Sequence, residues 1–542
     1  MKTYRIIGLA VVLGIAWGVW AGEPPHLQRK GPSTQLIVDG KPFLMLGGEL
    51  HNSSASSLDY LATIWPKLKA LNLNTAIAPV SWDQLEPEEG RFDFSLTDGL
   101  VKQARAAGMK LVILWFGSWK NSESSYVPDW VKRDTQRFPR AKGSSNRNTK
   151  GVLSTLCDAN RDADAKAFAA LMRRLKKVDG QRHTVIMVQV ENEVGIHPEI
   201  RDCSETADAA FRSPVPKALT DYLRAHRESL HPELLKRWSA GGCKTEGAWG
   251  DVFGGSPGAD EVFSVWCYAS YIEAVVRAGK AEYALPMYVN AWLPHPDGKP
   301  GNYPNGGPVP HMLDVWRAAA PDVDVYAPDI YLPDFKGICA DYTRNGNPLL
   351  IPEARRDEDA GARAFWAFGR HGALCFSPFG VESMDANHPL RDVYALLAQL
   401  TPMIVDAQGT DRMTAVFQQD ESVPEETVPV GTWNARVKFS KDCLPKGCQP
   451  AGILIQTGPE EFIVAGQGVS IGFWTREKGP PLTDLLSVEM GHFEKGVFIV
   501  DLRLNGDETS AGYRARIPPN TSNAFLDPSK PRILRVRVYR HA

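Results

Sequence analysis

The chain has 542 residues, 43% of them hydrophobic and 23% charged, with a formal net charge of -2. That length is more than one core organises, so two or three domains are expected. The near-zero charge excludes a basic field for nucleic acid, and the composition is that of a folded globular chain rather than a disordered one.

The N-terminus reads as a targeting segment. Lys2 and Arg5 precede an apolar run at 6–16 and then Gly18-Val19-Trp20-Ala21. This is the order of a secretory signal peptide, residues 1–21, cut after Ala21; an uncleaved anchor is the alternative. No Cys lies near the cut, which argues against a lipid anchor, and no other stretch is long and apolar enough to span a membrane. A periplasmic or secreted location is expected, without membrane attachment after cleavage. Eight cysteines in an exported chain suggest some pairing. Cys443 and Cys448 could close a small loop, Cys203 and Cys243 could pair, and Cys375 reads as a buried thiol. No CxxC or His/Cys cluster is present, so neither a metal nor a cofactor is expected.

The predicted elements follow in order. A strand and tight turn at 35–40 lead into a repeating pattern. Strand one is expected at 43–46, followed by Gly47-Gly48-Glu49-Leu50-His51. Leu61, Ile64, Trp65, Leu68 and Leu71 fall at helical spacing, bent at Pro66. Strand two is expected at 75–80, then a helix through 96–107 with Gly108 beyond its end. Strand three at 111–116, a helix through 168–178 and strand four from 184 come next. Helices at 262–280, 312–319, 360–370 and 393–400 alternate with strands at 286–290, 323–327, 349–352 and 373–376, the last two strands flanking the third of these helices. Eight strands mostly alternating with helices indicate a (β/α)8 TIM barrel at 25–407. No GxGxxG follows the first strand, which weakens a dinucleotide-binding reading. Beyond it, short β-rich segments punctuated by Gly, Pro and Asn, ending in the alternating run 532–539, predict an all-β sandwich at 408–542. There Trp433 and Trp474 could bind carbohydrate, but a role in packing against the barrel is expected of the β domain.

The chemistry sits at two strand ends. Val185, Ile186, Met187, Val188 and Val190 form a buried-strand pattern that stops at Glu191-Asn192-Glu193. Leu349-Leu350-Ile351-Pro352 likewise stops at Glu353. Carboxylates are costly to bury unless paired or hydrogen-bonded, and the C-terminal mouth of a barrel is where such residues work. Two facing carboxylates are what glycoside hydrolysis requires. After strand two, Trp82 is either a stacking platform for a sugar or a core indole.

The pattern Trp82…Glu86-Pro87…Gly90-Arg91-Phe92-Asp93-Phe94, with Asn192-Glu193 after strand four and Glu353 after strand seven, resembles the retaining (β/α)8 glycosidases. The chain is most similar to family 35 β-galactosidases of the bacterial subgroup with a C-terminal β domain. The resemblance implies that Glu193 is the general acid/base, Glu353 the nucleophile and Asn192 the partner of the sugar 2-hydroxyl. It also implies pocket roles for Tyr331, Asn290 and Trp292; Tyr331 either holds the nucleophile or packs in a loop. His51 fits the family, but Glu49 replaces its usual surroundings and takes either a hydroxyl contact or a basic partner. The strand-three end, Trp115 to Asn121, lacks the family's Asn-Ala-Glu-like sugar-binding segment.

The expected function is thus an exo-acting retaining β-galactosidase, acting on oligosaccharides or plant-polysaccharide side chains. The alternatives are another retaining glycosidase of the clan (glucosidase, mannosidase or glucosaminidase) and a non-catalytic carbohydrate-binding protein. A homodimer is compatible with this reading.

Overall fold

The structure is a computed structural model that describes residues 22–144, 151–519 and 526–542. The expected signal peptide, residues 1–21, lies outside the described residues.

Eight parallel strands close into a barrel: β1 (Met45–Glu49), β2 (Thr75–Ser81), β3 (Lys110–Lys120), β4 (Val185–Asn192), β5 (Met287–Trp292), β6 (Val325–Ile330), β7 (Leu350–Ala354) and β8 (Cys375–Pro378). Each pairs with its sequence neighbours, and β8 pairs with β1 to complete the ring. Ile77, Val112, Leu114, Phe116, Ile186, Tyr288, Val325, Ala327, Leu350 and Cys375 fill the interior. Both faces of these strands are buried, which is why they read as apolar runs rather than alternating ones. Leu36 and Val38 join the same interior cluster from an antiparallel sheet formed by His26–Lys30, Ser33–Val38 and Lys41–Phe43.

Among the enclosing helices, α1 (Ser95–Ala107) ends at Gly108, whose φ of 71° makes it a left-handed cap suited to glycine. The helix expected around Pro66 is two short ones, Leu58–Ala62 and Trp65–Ala70, with Pro66 in the first turn of the second. There its missing amide costs nothing. Helix α2 (Asp158–Asp179) packs on α3 (Gly258–Glu282), which is buried nearly all round. Between β4 and α3 the chain inserts four helices, Glu205–Arg212, Lys217–Ala225, Pro232–Ala240 and Trp249–Phe253.

After α4 (Ala360–His371) and α5 (Leu390–Ala407) come two all-β sheets, one of six strands and one of four. One face of the six-stranded sheet supplies Ala415, Phe417, Ile453, Ile463 and Ile533 to the same core as the barrel helices. Its other face packs on the four-stranded sheet through Val416, Leu454, Phe462, Phe473 and Val536. Trp433 lies in that second core, 3% exposed, and donates to the Pro459 carbonyl at 2.8 Å.

All eight cysteines are free, which corrects the pairings expected from sequence. Cys443 is exposed while Cys448 is buried, with its Sγ 3.6 Å from the Glu358 carbonyl; Cys203 and Cys243 each have other sulfur contacts. Cys375 is buried in the barrel, as its apolar context suggested. Among the described residues no helix is long and apolar enough to cross a membrane.

Candidate active site

The strand ends converge at the C-terminal mouth of the barrel. A cavity of about 470 Å³ opens there, lined by Glu193, Glu353, Asp329, Lys120, Tyr331 and Trp292 among others. One carboxylate oxygen from each of Glu193, Asp329 and Glu353 lies within 4.8 Å of the others. Glu193 follows β4 directly, and Glu353 is the penultimate residue of β7. In the β6–β7 register Asp329 stands beside Glu353.

The backbone around Glu193 is strained for a reason. Glu191 has φ 63° and Glu193 φ 46°, both left-handed and neither glycine. Such residues cost on the order of 1–3 kcal/mol each and persist only where surroundings enforce them. Here the peptide is gripped from both sides. Asn121 N donates to the Asn192 carbonyl (3.1 Å) and Ser122 N to the Glu193 carbonyl (3.2 Å), while Glu193 N donates to Asn290 Oδ1 (2.9 Å). The turn aims Glu193 into the cavity and Glu191 into the barrel wall.

Glu353 is held as an acceptor. Asn192 Nδ2 donates to its Oε1 at 3.2 Å and the Tyr331 hydroxyl to its Oε2 at 2.7 Å. These two donors fix the orientation of its carboxyl. Glu193 sits beside it. Burial, reinforced by the Glu353 charge and opposed by Lys120, raises the pKa of Glu193 to about 8. Its carboxyl is hydrogen-bonded to Asp329, which burial and its acidic neighbours hold well above the ordinary range. The three carboxyls form a group close enough to share a cation. Burial pushes Glu193 and Asp329 toward the neutral form.

Asn290 is buried and bridges: its Nδ2 donates to Asp329 Oδ2 at 2.8 Å while its Oδ1 holds the Glu193 amide. Trp292 is 45% exposed on the cavity wall. Three residues singled out from sequence lie elsewhere. Trp82 is fully buried, donates to Glu86 Oε2 at 2.8 Å and packs edge-on against Trp130. Glu86 also accepts from Gly90 N (2.7 Å), so this motif is a self-bracing loop and Trp82 offers no face to a sugar. His51 hydrogen-bonds Ser383 Oγ (2.9 Å) and packs on Phe379; Phe379, not His51, lines the cavity. Glu49 is 0% exposed at the end of β1, and neither of its oxygens has a hydrogen-bond partner among the described residues, so the basic partner that was one of its two expected roles is not bonded to it. Burial and Glu353 raise its pKa well above the usual value, the neutral form such a position requires.

Two participants escaped the sequence reading. Asp329 is the penultimate residue of β6 and has the same signature as Glu353, an apolar run meeting a carboxylate, but that strand was expected to stop at Ala327. Lys120 ends β3, which runs four residues past the expected Phe116. Its Nζ donates to Asn192 Oδ1 at 2.7 Å and to Asn121 Oδ1 at 2.5 Å.

A parallel barrel with paired acids at the C-terminal ends of β4 and β7 is an arrangement that glycoside hydrolysis can use. Residues 59–239 match the family profile described as beta-galactosidase, and residues 390–516 match one described as a domain of unknown function (DUF5597). Over that first stretch the chain is similar to the β-galactosidase family of glycoside hydrolases. A beta-galactosidase of Xanthomonas manihotis is 31% identical over 202 residues, 35% of this chain and 30% of that protein. A human protein named beta-galactosidase-1-like protein 2 is 31% identical over 201 residues, 36% of this chain and 28% of its own length. The match thus spans less than a third of either relative. Among solved structures, the beta-galactosidase of the psychrophilic Marinomonas ef1 aligns with a TM-score of 0.45 at 13% identity, covering 68% of this chain and 61% of that one.

Proposed function

We propose that the protein is an exported, exo-acting retaining β-galactosidase of the family 35 type. The observation that carries this reading is the pair Glu193 and Glu353, which face one cavity with oxygens within 4.8 Å, Glu193 raised by burial and Glu353 held by two hydrogen-bond donors. Retaining enzymes hold their carboxyls about 5–5.5 Å apart and inverting ones about 6.5–9.5 Å, so the spacing favours retention.

In the first step the Glu353 carboxylate attacks the anomeric carbon. The glycosidic C–O bond breaks as Glu193 gives its proton to the leaving oxygen. Tyr331 and Asn192 hold Glu353 in line, and Lys120 holds Asn192 by its other amide atom. Once Glu353 is esterified its charge is gone, one of the influences raising Glu193 disappears, and Glu193 becomes a base. Water then loses a proton to Glu193 and attacks the anomeric carbon. The ester bond breaks, the sugar leaves with its configuration retained, and both carboxyls return to their starting states. A cavity of about 470 Å³ with Trp292 at its wall suits a terminal sugar and part of its neighbour.

The second reading keeps this mechanism and changes the sugar. It is favoured by Lys120-Asn121 standing where family 35 carries Asn-Ala-Glu. A panel of nitrophenyl β-glycosides decides: the galactoside is expected to have the highest kcat/KM, and a preferred glucoside, mannoside or glucosaminide would replace the assignment. Glu353→Gln is expected to abolish turnover of every member while leaving the circular dichroism spectrum and melting temperature close to the parent's.

A further inference from the structure

Glu191 stands two residues before the candidate acid and faces the opposite way. Its carboxylate is fully buried and accepts from Ser118 N at 3.0 Å and Trp119 N at 2.7 Å, both at the end of β3. Asp164, fully buried on α2, accepts from the same Ser118 N at 3.2 Å. It also accepts from Ser118 Oγ at 2.7 Å, Trp115 Nε1 at 3.0 Å and the Tyr271 hydroxyl of α3 at 3.3 Å.

The two acids meet over Gly117. A Cβ there would fall 2.4 Å from Glu191 Oε1, 2.4 Å from Trp115 Nε1 and 2.8 Å from Asp164 Oδ1, so only glycine leaves room for the junction. No Lys, Arg or His is bonded to either acid among the described residues. Tyr271 is the remaining titratable group against the pair; the Lys120 amine, further along β3, is turned to Asn121 and Asn192. Two ionised carboxylates in contact, out of water and without a cation, are not tolerated.

We propose that Asp164 and Glu191 share one proton and act as positioning residues, a singly charged clamp that fixes the end of β3 against the end of β4. The clamp sits directly behind both working arms. From Ser118-Trp119 the chain runs on to Lys120, and from Glu191 to Asn192 and Glu193, where the arms meet through the Lys120–Asn192 bond at 2.7 Å. Burial and the neighbouring Asp164 hold Glu191 well above the ordinary carboxyl range, in keeping with a retained proton. The positioning half rests on Glu193 being the acid/base; the shared proton does not.

Two variants and two kinds of readout test this. Asp164→Asn keeps the shape and supplies a permanent amide hydrogen to Glu191, whereas Asp164→Leu leaves Glu191 without a partner. With the best glycoside, the Asn variant is expected to keep kcat within about threefold of the parent, and the Leu variant to lose about 10–100-fold in kcat with little change in KM, the scale of a misplaced catalytic group. Independently of activity, a parent-minus-Asp164→Asn infrared difference spectrum at pH 7 is expected to contain a protonated-carboxyl C=O band. The melting temperature of the Asn variant is expected to fall less steeply than the parent's as pH rises, because the parent's folded state holds a proton that its unfolded state releases. Equal damage from Asn and Leu would overturn the positioning role. Absence of the carboxyl band would overturn the shared proton, whether or not the protein proves to be a glycosidase.

Discussion

Glu193 sets the pH behaviour of the reaction. Its raised pKa of about 8 means that it is protonated over the neutral range, as a proton donor must be. With a nitrophenyl galactoside, kcat/KM is expected to be level on approaching pH 8 from neutrality and to fall about tenfold per unit above it. A profile still rising at pH 9 would remove Glu193 as the donor. The same shift affects stability. A carboxyl whose folded pKa exceeds its unfolded one binds a proton more tightly when folded, so its contribution is present at low pH and is lost as pH rises through the folded value. Glu193→Gln should therefore flatten part of the decline in melting temperature between the ordinary value of 4.5 and about 8. Lys120 is the cation of the site, and its test is specific. Lys120→Met keeps the stem and removes both bonds to Asn121 and Asn192, and a loss of about 100-fold in kcat/KM is expected from the displaced Asn192. A loss of less than threefold would make Lys120 a bystander.

At the scale of elements, what was legible in the sequence was where buried apolar runs stop. Strands β4 and β7 announce themselves because a run of Val, Ile, Met or Leu meets an acid, and few positions outside a barrel mouth permit that. β6 carries the same signal in Val325-Tyr326-Ala327-Pro328-Asp329, but it runs on to Ile330, past the Ala327 expected as its end. Proline is tolerated there because barrel hydrogen bonds are already sparse at the mouth, where the β6–β7 register begins only at Asp329. β3 was cut short at Phe116 because Gly117-Ser118 reads as a turn; the buried carboxylates over Gly117 keep it extended instead. For Trp82 the sequence left a sugar platform and a core indole both open; it is the core indole, because Glu86 is spent bracing its own loop. The helices Glu205–Arg212 and Lys217–Ala225 between β4 and α3 are amphipathic but only 8 and 9 residues long, shorter than the stretch over which helical periodicity stands out. The packing of α4 on the β sheet turns on Gly369, where a Cβ would lie 2.8 Å from both Ala415 Cβ and Ile453 Cγ1. Gly369→Leu is expected to lower stability by about 1–3 kcal/mol through overpacking, with kcat unchanged in the protein that remains folded. Denaturant unfolding measures it, and an unchanged midpoint would mean the sheet and helix do not pack as described.

For the whole molecule, the barrel and the all-β sheets form one continuous structure rather than two beads. The strands of the six-stranded sheet nearest the barrel are buried on both faces, by the barrel helices on one side and by the four-stranded sheet on the other, while its edge strand Val497–Leu504 is largely exposed. The β domain packs against the barrel through Ala415, Phe417, Ile453, Ile463 and Ile533, whereas Trp433 lies in the core between the two sheets and Trp474, 37% exposed, stays accessible. The eight free thiols bear on the proposed export, because an oxidising compartment usually pairs such residues. Thiol titration of the denatured, unreduced protein should give eight groups per chain. A count of six, with mobility sensitive to reductant, would restore a pairing such as Cys443 with Cys448.

The account depends above all on Glu353 becoming covalently joined to the sugar. Incubation with a 2-deoxy-2-fluoro-β-galactoside bearing a good leaving group, followed by intact mass and peptide mapping, tests it most directly. The expected result is time-dependent inactivation with one fluorosugar per chain, carried on the peptide that contains Glu353. A label on another acidic residue, or full turnover with no label at all, would contradict it.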